Sequence, residues 1–172
     1  EHQLASLARE LAPESHVISP RGDVSEGGAL RFFRRTGEGV YDMADLAVRT
    51  AAMAGFMAAH RDRLKPSRVV AFGYSNGANI LASVMFGGAG LVDDAILMHP
   101  LVPFAPPPNP ALHQARVLIT AGRHDPICPP RTSEALDQYF RSQGSETSLH
   151  WHDGGHELRP SEVEAARRFL GR

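Results

Sequence analysis

Residues 73–77 read Gly-Tyr-Ser-Asn-Gly and carry the first group in the chain suited to covalent chemistry, the hydroxyl of Ser75. The apolar run 69–72 before it predicts a strand, and the Ala, Leu and Met residues after it, at three- and four-residue spacing, predict a helix. A serine on the sharp turn between a strand and a helix stands clear of the backbone, as a nucleophile must. We therefore predict that Ser75 is a nucleophile and that the backbone N–H of Asn76 is an oxyanion donor.

The glycines beside Ser75 have a steric role in this interpretation. Because a strand and a helix approach closely at such a turn, Gly73 and Gly77 are expected to tolerate almost no side chain. The run 69–72 is apolar throughout, which predicts a parallel strand buried on both faces.

Asp125 and His156 are the candidate partners of Ser75. Each follows a predicted strand, at 115–121 and 146–152 respectively, and an open α/β sheet places its functional groups beyond the carboxyl ends of its strands. In this interpretation His156 takes the proton of the Ser75 hydroxyl, while Asp125 orients the imidazole and stabilises its charged form. The order serine, aspartate, histidine along the chain supports a catalytic triad.

Other reactive side chains offer weaker alternatives. His99 ends a predicted strand and is a rival base, although a structural or pocket-wall role is favoured. Cys128 lacks the turn that would present it as a nucleophile and is interpreted as a buried bystander. A metal site at His150, His152 and His156 lacks a completing carboxylate or cysteine, so no metal is predicted, and His150 and His152 are expected at the surface.

A long loop is predicted over residues 20–41, which are rich in Gly and Arg, and loops of this length inside a domain are usually functional. Guanidinium groups and aromatic rings here could hold an anionic substrate group. The other interpretation, a solvated basic loop whose phenylalanines pack on the core, stays open. The candidate substrate-binding residues are Arg31, Phe32, Phe33, Arg34, Arg35 and Tyr74.

Alternating helical and strand patterns predict an α/β fold with a mostly parallel sheet and helices on both faces. The last strand, 146–152, has period-two alternation and is expected at or near a sheet edge. Asp42 and Asp45 predict a helix N-cap, Gly144 predicts a helix C-cap, and Ser161 with Glu164 predicts a capping box. The predicted elements are a helix at 3–11, a strand at 16–19, a long helix from 42, strands at 68–73, 93–99, 115–121 and 146–152, a helix at 132–143 and a final helix after 161.

Composition limits the class of protein. The chain has 172 residues, 42% apolar and 22% charged, with a net charge of −1, which fits a single globular domain over residues 1–172. This charge gives no support for nucleic-acid binding. No apolar run is long enough to span a membrane, and the single cysteine, Cys128, excludes an internal disulfide. A cytoplasmic location is expected.

The sequences around Ser75, Asp125 and His156 and the arginine-rich stretch 31–35 together resemble the phospholipase/carboxylesterase family of α/β-hydrolases. The resemblance is to the predicted-esterase branch of that family in particular, which is associated with copper or hydroquinone response. The resemblance covers nearly the whole chain. It implies a compact hydrolase without a lid domain, activity on small carboxylic esters, no cofactor, and often a homodimer. The motifs that carry the resemblance are Gly-Tyr-Ser-Asn-Gly-Ala-Asn-Ile at 73–80, Arg-Phe-Phe-Arg-Arg at 31–35, Asp-Pro-Ile-Cys-Pro at 125–129 and Gly-His at 155–156.

One motif of that family does not occur in the sequence. Its members carry a His-Gly-x-Gly-Gly-type loop before the first helix, whose backbone N–H supplies a second oxyanion donor, and Glu1 resembles the tail of that loop. Two expectations stay open: the first strand and the oxyanion loop lie upstream of Glu1, or the protein itself is truncated and its catalysis suffers. Loss of one such donor costs roughly 10²–10³ in rate.

The function predicted from the sequence is cleavage of small carboxylic esters by a serine hydrolase through an acyl-enzyme. A lactone or dienelactone hydrolase, or a thioesterase, on the same triad is the alternative among enzymes. The alternative of another class is a non-catalytic binder that holds a small anionic ligand at the arginines of the 20–41 loop.

Overall fold

The computed structural model describes residues 4–88 and 90–171, so Glu1 lies outside the described residues. The chain alternates helices and strands as its sequence predicts. In order, the elements are α1 (Ala5–Leu11), β1 (Val24–Glu26), β2 (Ala29–Arg31), β3 (Arg35–Gly37), β4 (Val40–Tyr41), α2 (Met43–Leu64), β5 (Val70–Tyr74), α3 (Asn76–Gly87), β6 (Asp94–Met98), a 3-10 helix (Pro110–Gln114), β7 (Arg116–Gly122), α4 (Pro130–Ser142), β8 (Glu146–His152) and α5 (Pro160–Phe169).

A parallel sheet with the strand order β5-β6-β7-β8 forms the centre of the molecule. Strand β8 is an edge of this sheet, as its alternation predicts. Within the described residues β5 is the other edge, and Val70 at its start is 38% exposed. The expectation that the run 69–72 is buried on both faces is therefore wrong. Strand β6, whose five residues are all buried, fits that description instead.

Helices cover both faces of the sheet, which confirms the predicted fold class. On one face α3 and α4 enclose the larger core, which includes Met85, Ile119 and Phe140. On the other face α1 and α5 pack over Ile96 and Leu118. Helix α2 lies against α3, with Leu46 in a third apolar cluster.

The segment 20–41 contains regular structure where the sequence predicts a loop. Strands β1 and β2 form one antiparallel hairpin, and β3 and β4 form a second. The first turn is Gly27-Gly28, where both residues have positive φ, a conformation that glycine adopts without steric cost. We call residues 24–41 the hairpin segment. Residues 16–19, in contrast, form no strand in the described chain.

The helix ends confirm two of the predicted caps and correct the third. Asp42 Oδ1 accepts the N–H of Asp45 at 3.0 Å, as predicted. Gly144 follows α4 with a φ of +85°, also as predicted. The N-cap of the final helix is Arg159, two residues before the predicted Ser161, and Glu162, rather than Glu164, accepts the N–H of Arg159 at 2.6 Å.

Among the described residues, no helix is both long enough and apolar enough to cross a membrane.

The larger core provides a test of packing. Phe140 is fully buried and contacts Phe86 and Tyr139, whereas Phe56 on α2 is 38% exposed. We expect Phe140→Ala to lower the free energy of unfolding by about 3–5 kcal/mol, because it removes a large buried ring and leaves a cavity. Phe56→Ala is the matched control and should cost less than about 1 kcal/mol. Urea unfolding measures both, and equal losses would contradict this account of the core.

Candidate active site

Ser75 occupies a strained turn between β5 and α3. Its φ is +53° and its ψ is −116°, a conformation that non-glycine residues rarely adopt. Its own N–H donates to the carbonyl oxygen of Met98 at 2.8 Å, which fixes the turn to the neighbouring strand β6. Asn76 is the first residue of α3, so its backbone N–H belongs to the first turn and has no acceptor within the helix.

Close backbone contact explains one of the two flanking glycines. A Cβ on Gly73 would lie 2.4 Å from the carbonyl carbon of Gly77, so no side chain fits there. A Cβ on Gly77 would lie 3.6 Å from the ring of Phe32, which is an ordinary contact. The steric prediction therefore holds for Gly73 and is wrong for Gly77.

The structure brings the three predicted side chains together. His156 Nε2 lies 2.9 Å from Ser75 Oγ, and His156 Nδ1 lies 2.7 Å from Asp125 Oδ2. Asp125 is 4% exposed, whereas the side chain of His156 is 17% exposed. The hydroxyl of Tyr74 donates to the carbonyl oxygen of His156 at 2.5 Å, so Tyr74 supports the loop that carries the base.

Asp125 accepts four hydrogen bonds. Oδ1 accepts the backbone N–H groups of Ile127 and Cys128, at 2.8 and 2.9 Å. Oδ2 faces both His156 Nδ1 and His99 Nδ1, at 2.7 and 2.8 Å. Burial alone would raise the pKa of Asp125, but these donors outweigh it and hold the pKa below its ordinary value. The carboxylate is therefore ionised at neutral pH.

A buried polar cluster continues behind Asp125, and the sequence analysis missed most of it. His99 is fully buried, and its Nε2 lies 3.1 Å from Glu162 Oε1. Glu162, also fully buried, accepts the hydroxyl of Thr120 at 2.5 Å and faces His152 Nε2 at 3.3 Å. The structural role favoured for His99 agrees with this position. The surface position expected for His152 is wrong, because its side chain is only 7% exposed.

Burial makes Cys128 an unsuitable nucleophile. Its Sγ donates to the carbonyl oxygen of His99 at 3.3 Å. Burial and the nearby Asp125 carboxylate raise the pKa of its thiol to about 12, so it is uncharged at neutral pH. This agrees with its interpretation as a bystander.

Two groups of described residues have ligand atoms close enough for a metal ion, and neither is the histidine trio weighed from the sequence. They are His99 with His152 and Glu162, and His99 with Asp125 and His156. Gly154 donates its N–H to His152 Nδ1 at 3.0 Å, so the proton of a neutral His152 is on Nε2, directed at Glu162. That nitrogen has no free lone pair for a metal. In both groups the contacts fit hydrogen bonds.

The two predicted substrate-binding phenylalanines, Phe32 and Phe33, lie in different surroundings. Phe33 is fully buried beside Leu46 and Ile80, so its prediction as a substrate contact is wrong. Phe32 lies next to the Ser75 turn, and its backbone N–H donates to Asn76 Oδ1 at 2.7 Å.

The three arginines of the hairpin segment all have carboxylate partners. Arg31 and Arg35 both pair with Glu26, at 3.1 and 2.6 Å. Arg34 pairs with Asp45 at 3.3 Å. Each guanidinium group that was considered for an anionic ligand therefore already has a carboxylate beside it.

Comparison with known proteins gives a consistent family. The model of the dienelactone hydrolase family matches residues 34–161. MhqD of Bacillus subtilis (strain 168), a protein named as a hydrolase, is 44% identical over 171 residues, covering 98% of this chain and 86% of that protein.

Two solved structures share both fold and sequence with the chain. The protein Atu2452 of Agrobacterium tumefaciens, of unknown function, has a TM-score of 0.95 and 50% identity, with 99% of this chain and 84% of that chain covered. A carboxylesterase of Bacillus cereus has a TM-score of 0.91 and 38% identity, with 98% and 80% covered. The resemblance to α/β-hydrolase esterases is confirmed.

The Ser75 turn yields a prediction about the two glycines. We expect Gly73→Ala to cost about 3 kcal/mol or more in unfolding free energy, since its Cβ meets rigid backbone. Gly77→Ala should change that free energy by less than about 1 kcal/mol, because the new methyl group meets only a movable ring. Urea unfolding of both variants tests this, and a well-folded Gly73→Ala protein would contradict the close contact.

The buried cluster yields a prediction about Glu162 and pH. Burial alone would raise the pKa of Glu162, but hydrogen bonds from His99, Thr120 and the Arg159 N–H lower it below 4.5. The stability it contributes is therefore present above pH 4.5 and is lost as the pH falls further. We expect Glu162→Gln to cost about 3–5 kcal/mol near pH 6 and less near pH 3.5.

Glu164→Gln is the matched control, because Glu164 lies on the same helix with its side chain 51% exposed. It should change the free energy of unfolding by no more than about 0.5 kcal/mol at either pH. Urea unfolding at the two pH values measures the differences. A cost for Glu162→Gln that does not depend on pH would show that its carboxylate is not held ionised.

Proposed function

The chain belongs to the dienelactone hydrolase family, and we propose that it cleaves small carboxylic esters as a serine hydrolase through Ser75, His156 and Asp125. It is a hydrolase of the dienelactone hydrolase/carboxylesterase type. One observation carries the finer proposal. Hydrogen-bond distances of 2.9 and 2.7 Å connect Ser75 Oγ to His156 and His156 to Asp125 without a break.

In the proposed acylation step, Ser75 Oγ attacks the ester carbonyl carbon while His156 Nε2 takes the hydroxyl proton. The carbonyl oxygen becomes an oxyanion and accepts the Asn76 N–H, at the positive end of the α3 dipole. His156 then gives its proton to the leaving alcohol, and the C–O bond to that alcohol breaks. The product is an acyl group on Ser75.

Deacylation repeats these steps with water. His156 takes a proton from water, whose oxygen attacks the acyl carbon. The second oxyanion collapses, the bond to Ser75 Oγ breaks, and His156 returns the proton to Ser75. The carboxylic acid leaves and the enzyme is restored.

Asp125 serves both steps by its charge and its position. Its Oδ2 accepts the Nδ1–H of His156, which leaves Nε2 free to accept the serine proton. Because the carboxylate is ionised and buried, it also stabilises the imidazolium that forms in each step. The backbone donors on Oδ1 hold the carboxylate in place.

We place the substrate beside Phe32, whose backbone lies on the Ser75 turn. Tyr74 supports the base and so belongs to the site without a proposed substrate contact. An anionic substrate group at Arg31, Arg34 or Arg35 would compete with Glu26 and Asp45, which favours uncharged esters.

Hydrolysis of a lactone is the second candidate, and the match to the dienelactone hydrolase family favours it. A lactone is a cyclic ester, so the chemistry at Ser75 is the same, except that the leaving alcohol remains attached to the acyl group. Relative turnover of simple esters, lactones and thioesters distinguishes the three substrate classes.

The nucleophile is tested with a fluorophosphonate, which labels activated serines covalently. We expect one adduct per chain by intact-protein mass spectrometry, located at Ser75, and a loss of about 10⁴-fold or more in ester turnover in Ser75→Ala. Ser161→Ala, at an exposed serine, should keep both labelling and turnover.

Labelling or turnover that survives in Ser75→Ala would contradict the proposed nucleophile. A folded wild-type protein that turns over no ester, lactone or thioester would instead support the non-catalytic binder. Binding of a small dicarboxylate, measured by calorimetry, would then be the distinguishing result.

A further inference from the structure

We propose that His99 is a positioning residue for the triad, held as an imidazolium between Asp125 and Glu162, and that its charge sets the pH range in which His156 acts as a base. This inference rests on the function proposed above for Ser75, His156 and Asp125. It assigns a role in the reaction to a residue that lies behind the triad and cannot reach a substrate.

Both ring nitrogens of His99 face carboxylate oxygens. Nδ1 lies 2.8 Å from Asp125 Oδ2, and Nε2 lies 3.1 Å from Glu162 Oε1. A neutral imidazole has one N–H and one lone pair, so one of these contacts would place a lone pair against a carboxylate oxygen. Only the doubly protonated ring donates to both. The other possible donor to Nε2 is His152 Nε2, but it lies farther away, at 3.4 Å, and has Glu162 Oε2 as an acceptor at 3.3 Å.

The two carboxylates are themselves saturated with other donors. Asp125 accepts two backbone N–H groups and His156 besides His99. Glu162 accepts the Thr120 hydroxyl at 2.5 Å and the Arg159 N–H at 2.6 Å, and it faces His152 at 3.3 Å. A carboxyl with so many donors is stable as an anion rather than as an acid. Each anion therefore requires a donor, not an acceptor, from His99.

The other groups around His99 come from four parts of the fold. His152 on β8 lies 3.4 Å from its Nε2, and the His156 and Tyr74 rings have centroids 5.1 and 5.7 Å from its own. The thiol of Cys128 donates to the carbonyl oxygen of His99 and also lies 3.9 Å from His156 Nδ1. His152 is neutral in this arrangement, because its Nδ1 accepts the N–H of Gly154.

The charges around the resting base follow from these assignments. Two carboxylates and one imidazolium leave one net negative charge in the cluster. When His156 takes the Ser75 proton, the cluster becomes neutral. Burial lowers the pKa of His99, but the bonds to Glu162 and Asp125 outweigh it and raise the pKa above its ordinary value, so His99 stays charged through neutral pH.

The positive charge on His99 opposes a second positive charge on His156. The two rings share Asp125 Oδ2, and their centroids are 5.1 Å apart. Without the charge, His156 would remain protonated up to a higher pH and could not accept the serine proton there. The acid limb of kcat/KM against pH reports this step in the free enzyme.

His99→Asn isolates the charge. Asparagine tolerates the φ of +50° at this position better than most residues, and its Nδ2 can keep a neutral donor on Asp125. We expect the acid limb of kcat/KM for an ester to move up by about one pH unit or more. His152→Asn is the matched control, since His152 is also buried and contacts both Glu162 and His99, without a contact to Ser75, His156 or Asp125 among the described residues. Its acid limb should stay at the wild-type position.

An unmoved acid limb in an active His99→Asn protein, or equal shifts in both variants, would overturn the proposal. If His99 had only a structural role, its replacement would lower the stability and the rate but would not move the acid limb of kcat/KM to higher pH. An unlabelled Ser75 in the wild-type protein would overturn the proposed function together with this inference, whereas a labelled Ser75 with an unmoved limb overturns only the role of His99.

Nuclear magnetic resonance of the wild-type protein covers the case in which His99→Asn does not fold. Two histidine rings lie near Tyr74, those of His99 and His156, with centroids 5.7 and 5.4 Å from its own. With histidines labelled by ¹⁵N, we expect one of these two rings to show two protonated nitrogens at pH 8. If neither ring carries two protons at pH 8, His99 is neutral and the proposal is wrong.

Discussion

The arrangement of this protein depends on one buried charge, the carboxylate of Asp125. An ionised group out of water is stable only when donors replace the lost hydration, and this carboxylate has four. Two come from the backbone of its own loop, one from His156 after β8, and one from His99 after β6. Satisfying a single anion therefore draws three loops together at the carboxyl end of the sheet, and that convergence is the candidate site.

The parallel sheet makes the convergence possible, because its hydrogen bonds continue beyond the strand ends. The N–H of Ser75 donates to Met98 and that of His99 donates to Thr120, both at 2.8 Å. The N–H of Arg123 similarly donates to His152 at 2.9 Å. The strained turn at Ser75 is thus held by backbone bonds on one side and by the contact between Gly73 and α3 on the other. Backbone bonds of this kind fix the distances between groups that are far apart in sequence.

The sequence was sufficient to predict the fold class and the three converging residues, since a strand–turn–helix pattern and the order serine, aspartate, histidine are local signals. It was insufficient for the cluster behind them. Alternation along β8 places His152 with polar residues, but α5 covers that position, and strand periodicity carries no information about covering helices. Glu162 lies in a polar helix start and resembles a surface residue. The hairpin turn at Gly27-Gly28 had a local signal that was missed within a long Gly-rich segment.

The buried groups behind Ser75 and the hairpin segment in front of it differ in how easily their residues can be substituted. Behind it, each ring nitrogen of His99 and the Nδ1 of His156 face a carboxylate oxygen of Asp125 or Glu162, so removing one of these four residues leaves a buried group unsatisfied. In front of it lies the hairpin segment, which Phe32 connects to the turn and whose half-buried ion pairs at Glu26 remain partly in contact with water. Partly hydrated ion pairs contribute less to stability than fully buried ones and can be exchanged at smaller cost. Differences in substrate are therefore easier to accommodate in the hairpin segment, while a change at one of the groups behind Ser75 leaves its buried partners without a hydrogen bond.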